Sequence, residues 1–236
     1  MISRLCGALF VLVIFLCGPG AAETSDNANL PDLRCTEQFF DMGCVGIDFK
    51  IYHTFDFINH GRDTIYIDTV TGHCDCTEVR FRDSTVAPGD TARVKMIFNT
   101  ANQYGPIDKD IRIHSSDAKA PVQEIHYLAN VGQWLFKIEP RPVSIFFLPN
   151  QHVRTAVLFN HALDRVEVKD IYLDSNYVDI KTIKNRAGKG EGLEFELTPK
   201  PGLHPGTHLT NYTITLDIRE DTPPHKITIP VKVFRY

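Results

Sequence analysis

Phe57-Ile58-Asn59-His60-Gly61 returns 101 positions later as Leu158-Phe159-Asn160-His161-Ala162, and a fixed offset of this kind predicts two copies of one module. The same offset carries Gly105-Pro106 onto Gly206-Thr207 and Ile111-Arg112-Ile113 onto Tyr212-Thr213-Ile214. It also isolates an asymmetry: His73-Cys74-Asp75-Cys76 falls on Asp174-Ser175-Asn176-Tyr177, so only the first copy holds a thiol pair. The architecture therefore does not require that pair.

Around these turns the chain reads as short strands. Ile65-Tyr66-Ile67-Asp68-Thr69-Val70 and Arg93-Val94-Lys95-Met96-Ile97-Phe98 alternate apolar with polar residues, the pattern of a strand with one face buried. Runs at 51–58, 110–114 and 122–131 complete the first copy, and the second repeats the scheme at 143–148, 153–159, 165–173, 178–183, 193–197, 209–218 and 226–234. Asn59-His60-Gly61, Pro88-Gly89-Asp90 and Tyr104-Gly105-Pro106 supply turns between them. No helical period is present, so the fold class is all-β: two tandem immunoglobulin-like sandwiches. Residues 33–133 form the first and 141–236 the second. The link, 134–140, contains the only tryptophan, and its apolar Trp134-Leu135-Phe136 predicts a restrained joint and a fixed tandem rod.

Residues 1–22 have the form of a secretory signal: Arg4, an apolar run from Leu5 to Cys17, then Gly20-Ala21-Ala22 as a cleavage site. The run holds about a dozen residues, too few for a span that needs roughly 20. Leu16 before Cys17 fits a lipoprotein signal poorly, and lipidation is the lesser alternative. Residues 23–32 read as a flexible leader. The whole chain has a formal net charge of −4, one unit more negative once Arg4 leaves, with no basic block. A nucleic-acid partner is thereby disfavoured. The expected location is a periplasm or cell surface.

The first copy resembles an exported bacterial immunoglobulin-like family, domain of unknown function 1573. The resemblance rests on Asp41-Met42-Gly43-Cys44-Val45, Phe55-Asp56-Phe57-Ile58-Asn59-His60-Gly61, Cys74-Asp75-Cys76-Thr77, Pro88-Gly89-Asp90 and Gly132 in that order. It departs from the family pattern at Asp75, where glycine is usual, and at Cys44. The family is similar to ASH and major sperm protein domains, which implies association or scaffolding without catalysis.

Four cysteines, Cys35, Cys44, Cys74 and Cys76, are disulfide candidates in an exported chain. If the strands flanking them are antiparallel neighbours, Cys44, Cys74 and Cys76 gather at one end of the sandwich, and a bridge from Cys44 to Cys74 or Cys76 is easier than the tight ring joining Cys74 to Cys76. Alternatively, Cys74 and Cys76 with His73 or His53 make a soft-metal set suited to Cu(I) or zinc. A thiol–disulfide exchange role is the third possibility, although no Cys-x-x-Cys at a helix start is present. His60 and His161 are expected to serve their turns, and His204 and His208 to lie on an exposed hairpin. Asn211-Tyr212-Thr213 is a glycosylation sequon that a bacterial source leaves unused. No nucleophile–base arrangement or phosphate loop is visible. The sequence thus points to a non-enzymatic exported binding module that recognises extended segments at a sheet edge, with a copper or zinc carrier and an exchange factor as alternatives.

Overall fold

The computed structural model describes residues 31–134, 137–174, 177–218 and 224–236. The signal segment, most of the leader, and Leu135, Phe136 and Ser175 lie outside them. The described residues form strands and turns, with no helix.

In the first sandwich β1 (Leu33–Cys35), β3 (Lys50–Asn59), β7 (Thr91–Asn99) and β5 (Thr77–Phe81) make a four-stranded sheet in the order β1-β3-β7-β5. It packs on β2 (Phe39–Val45), β9 (Val122–Val131), β8 (Gly105–Ser115) and β4 (Ile65–Gly72), with β6 (Thr85–Val86) beyond β4. Alternation is what builds the core between them: Ile51, Phe55 and Phe57 of β3 face Ile111, Ile113 and Tyr127 across the sandwich, all essentially without exposure.

The second sandwich repeats this. β10 (Ile138–Arg141), β12 (Arg154–Asn160), β16 (Glu191–Pro199) and β14 (Val178–Lys184) form its four-stranded sheet. Opposite lie β13 (Val166–Leu173), β17 (Gly206–Asp217) and β18 (His225–Arg235), with β15 (Arg186–Ala187) outside β13 and β11 (Ile145–Phe147) parallel to β18. The expected link is therefore partly strand, since Ile138–Pro140 open β10. Pro140 is tolerated because β10 is an edge strand with no ladder on one side.

The joint is not the end-to-end rod that the sequence suggested. β18 pairs in parallel with β2 through Ile227 and Cys44, fusing the two long sheets into one of ten strands, in the order β15-β13-β17-β18-β2-β9-β8-β4-β6 with β11 on the side of β18. A bulge in β2 between Asp41 and Cys44 makes the contact possible. Gly43 there has φ +64°, and a Cβ on it would stand 2.0 Å from the Lys226 carbonyl oxygen, so only glycine fits. Thr228 of β18 donates to the Met42 carbonyl at 2.6 Å and also bonds the Thr213 hydroxyl. On β17, Tyr212, Ile214 and Leu216 face the second core, whereas the Asn211 amide oxygen, one position out of phase, accepts the Tyr52 N–H of β3 at 2.7 Å. The two four-stranded sheets therefore cover opposite faces of the shared sheet.

Candidate binding edges and the sulfur turn

The repeated Asn-His motif does its structural work through asparagine. Asn59 is fully buried at the end of β3. Its amide nitrogen donates to the carbonyls of Asp63 (2.8 Å) and Val86 (2.9 Å), and its amide oxygen accepts the Gly61 N–H. Asn160 does the same, donating to Leu163 (2.7 Å) and Gly188 (2.9 Å) and accepting from Leu163 (2.8 Å). His60 and His161 are exposed beside them. Each asparagine ties a strand of the small sheet to the segment carrying β6 or β15, and those two short strands close the ends of the ten-stranded sheet by pairing with β4 and β13.

The small sheets are left open. β5 pairs only with β7, and β14 only with β16. The Asn99 N–H donates to the Cys76 carbonyl (2.8 Å) and the Lys200 N–H to the Tyr177 carbonyl (2.9 Å), which fixes the phase of both ladders. By alternation, the N–H and C=O groups of Val79 and Phe81 in β5, and of Val178, Ile180 and Thr182 in β14, point away from their sheets. Ile180 stands 101 positions after Val79, so the internal repeat extends to these edges. Val79, Phe81 and Ile180 are only partly buried against their cores. Glu78 and Arg80 on β5, and Asp179 and Lys181 on β14, put charge on the outer face, and a bulge between Thr182 and Lys184 ends the second edge. Charges and bulges of this kind discourage indiscriminate pairing.

The sulfur turn leads directly into β5. Gly72 closes β4, and a Cβ there would meet the Thr77 carbonyl oxygen at 2.6 Å, so the chain can double back only through glycine. The disulfide joins Cys74 to Cys76, with Cα atoms 5.1 Å apart. This corrects the expected bridge to Cys44. That expectation needed β3 and β4 to be neighbours, but they belong to different sheets, and β9 and β8 separate β2 from β4. Cys44 is buried against the second core. Cys35 donates its thiol to the Glu37 carbonyl (3.0 Å), and burial raises that thiol to about 11. The Cys74–Cys76 ring is short, so by chain entropy it stabilises the fold by about 1.6 kcal/mol, against about 3.7 kcal/mol for a loop as long as Cys44 to Cys76.

The Thr77 hydroxyl lies 3.5 Å from the Cys74 sulfur and 3.8 Å from that of Cys76, and is itself hydrogen-bonded to the Tyr127 hydroxyl beneath. Burial raises Tyr127 to about 12, with the Thr77 contact opposing. His73 is held by Asp110, Nδ1 to Oδ1 at 2.6 Å. The soft-metal set is not assembled in this arrangement. The two sulfurs are bonded to each other, and among the described residues no group of three or more His, Cys, Asp or Glu could hold a metal.

His53, the other candidate imidazole, is engaged elsewhere. It is 1% exposed, stacked on Phe40, and held between Glu37 Oε2 (2.9 Å) and the Tyr172 hydroxyl of the second domain (3.3 Å). Close by, burial pushes the Asp174 carboxyl above its ordinary range, with His53 and Lys95 opposing. No hydrogen bond of good geometry reaches either Asp174 oxygen, and the nearby Thr54 backbone N–H offsets the burial only weakly. The sequon asparagine, Asn211, is fully buried in this junction. The expected hairpin at His204 and His208 does not form: the strands on either side, β16 and β17, belong to different sheets, His208 lies within β17, and its Nε2 is 2.8 Å from the His204 carbonyl oxygen. Little in the sequence marks the junction, since its members are single polar residues from separate segments.

No helix among the described residues is long and apolar enough to cross a membrane. No curated protein matches the chain. Solved structures match the chain only at low similarity. A Porphyromonas gingivalis protein of unknown function is 8% identical over 85% of this chain and 99% of its own, with a TM-score of 0.35. The ASH / PapD-like domain 7 of human CEP192 is 9% identical over 54% of this chain and 100% of its own, at 0.36. The Pseudomonas aeruginosa CupB2 chaperone is 8% identical over 83% and 98%, at 0.32. Residues 33–131, the first sandwich, match the family described as protein of unknown function (DUF1573).

Proposed function

We propose that this protein is a non-enzymatic, exported binding module that takes extended protein segments onto the open edges of its two small sheets. The observation that supports this most directly is the unequal treatment of edges. Both ends of the ten-stranded sheet are closed by short strands anchored on Asn59 and Asn160, while β5 and β14, equivalent in the two copies, keep a row of unpaired backbone groups. An incoming strand gains ladder hydrogen bonds there, and its inward side chains cover Val79, Phe81 or Ile180.

The test is selection from a displayed library of random peptides against the mature protein, followed by amide hydrogen exchange of the complexes. Protection is expected at 77–81 or 178–182. Thr182→Pro and Val79→Pro remove donors that point outward and leave the internal ladders intact, so each should abolish binding at its own edge without unfolding the protein. Binders that protect neither edge, or that survive both substitutions, would refute the proposal.

A further inference from the structure

We propose that the Cys74–Cys76 disulfide exchanges with the thiols of a cysteine-bearing extended segment bound along β5, so that the first domain oxidises clients that the edge selects. This rests on the edge reading above and adds a substrate class and a chemical step to it. Three observations support it. The disulfide stands immediately before β5, and the Cys76 carbonyl already takes part in the β5–β7 ladder, so a segment paired with Val79 and Phe81 runs beside the sulfurs. The turn is only partly buried, which gives a thiolate access. The ring closes so few residues that the fold depends little on it, and the second copy has an edge at β14 with no cysteine before it.

The step balances without any further reagent. A client thiolate attacks the Cys76 sulfur, forming the mixed disulfide and expelling Cys74 as a thiolate, which can accept a hydrogen bond from the Thr77 hydroxyl, the nearer of its two sulfur contacts. A second client thiolate then attacks the client sulfur of the mixed disulfide and releases Cys76. The client loses two electrons and two protons and gains a disulfide. Cys74 and Cys76 end as thiols, and the reaction is a single turnover.

The experiment uses the oxidised mature protein and a reduced synthetic peptide of alternating β-branched residues with one cysteine. Its control has the same composition but prolines at alternate positions, so it cannot pair. Acid quench, alkylation and mass spectrometry locate the mixed disulfide. The pairing peptide should react about ten-fold or more faster than the control, because binding raises its local concentration. It should be found on Cys76, with Cys74 alkylated. Val79→Pro should collapse the ratio to one, with circular dichroism confirming that the variant stays folded. Equal rates for the two peptides overturn the proposal, as does a ratio that survives Val79→Pro. If hydrogen exchange shows the peptide protecting β5 and no mixed disulfide forms, the exchange proposal fails and the edge reading stands. If β5 is never protected, the exchange proposal fails, and the edge reading fails with it only if β14 is unprotected as well.

Discussion

Replacing Asn59 with alanine should be among the most damaging single changes in the first domain, although neither a core side chain nor a sulfur is touched. Three hydrogen bonds disappear, to Asp63, Val86 and Gly61. Each is worth about 1 kcal/mol net, and backbone groups left buried without partners add roughly 1 to 3 kcal/mol more. The expected loss is about 4 to 6 kcal/mol, a large part of the roughly 5 to 15 kcal/mol available to a domain. Asn160→Ala should cost a similar amount in the second domain, while His60→Ala and His161→Ala, both at exposed positions, should each cost less than about 1 kcal/mol. Urea unfolding followed by far-ultraviolet circular dichroism measures all four. The reasoning is refuted if the asparagine variants stay within about 1 kcal/mol of the parent, or if the histidine variants lose as much.

Gly43→Ala forces a side chain into the Lys226 carbonyl and a left-handed backbone that costs about 1 to 3 kcal/mol in strain alone; scanning calorimetry should show the two domains melting separately. Asp174 has a raised folded pKa, so its ionised form is disfavoured in the native state and stability falls as pH rises through that pKa. Asp174→Asn should therefore raise the urea midpoint at pH 8, and the gain should shrink as pH falls toward the ordinary carboxylate range. The double change Cys74→Ser with Cys76→Ser should lower stability by about 1.6 kcal/mol at most, read by thermal unfolding with and without reductant; a much larger loss would make the bond a structural staple.

The repeat was legible because turn chemistry leaves residues of recognisable type at fixed places, and Asn59 and Asn160 are such residues. Which residue of the pair served the turn was not legible, since histidine and asparagine are adjacent and only burial separates them. Alternation exposed β4 and β7 but not β2, whose bulge at Gly43 breaks the period that would have marked it as a strand. The cysteine pairing failed for a related reason: it assumed that strands close in sequence were neighbours, whereas β3 and β4 were assigned to opposite sheets. The polar junction of Glu37, His53, Tyr172 and Asp174 had no sequence signature, because it forms only when segments more than a hundred positions apart meet.

The bond between β2 and β18 also sets an order of events. β2 obtains one neighbour, β9, as soon as the first domain is made, but its other flank waits for β18, the last strand described. During that interval a fresh polypeptide holds a lone, hydrogen-bond-hungry margin, the kind that seeds clumping. The kink at Gly43 interrupts that margin, so the feature that later admits Lys226 first serves as a guard against the wrong neighbour.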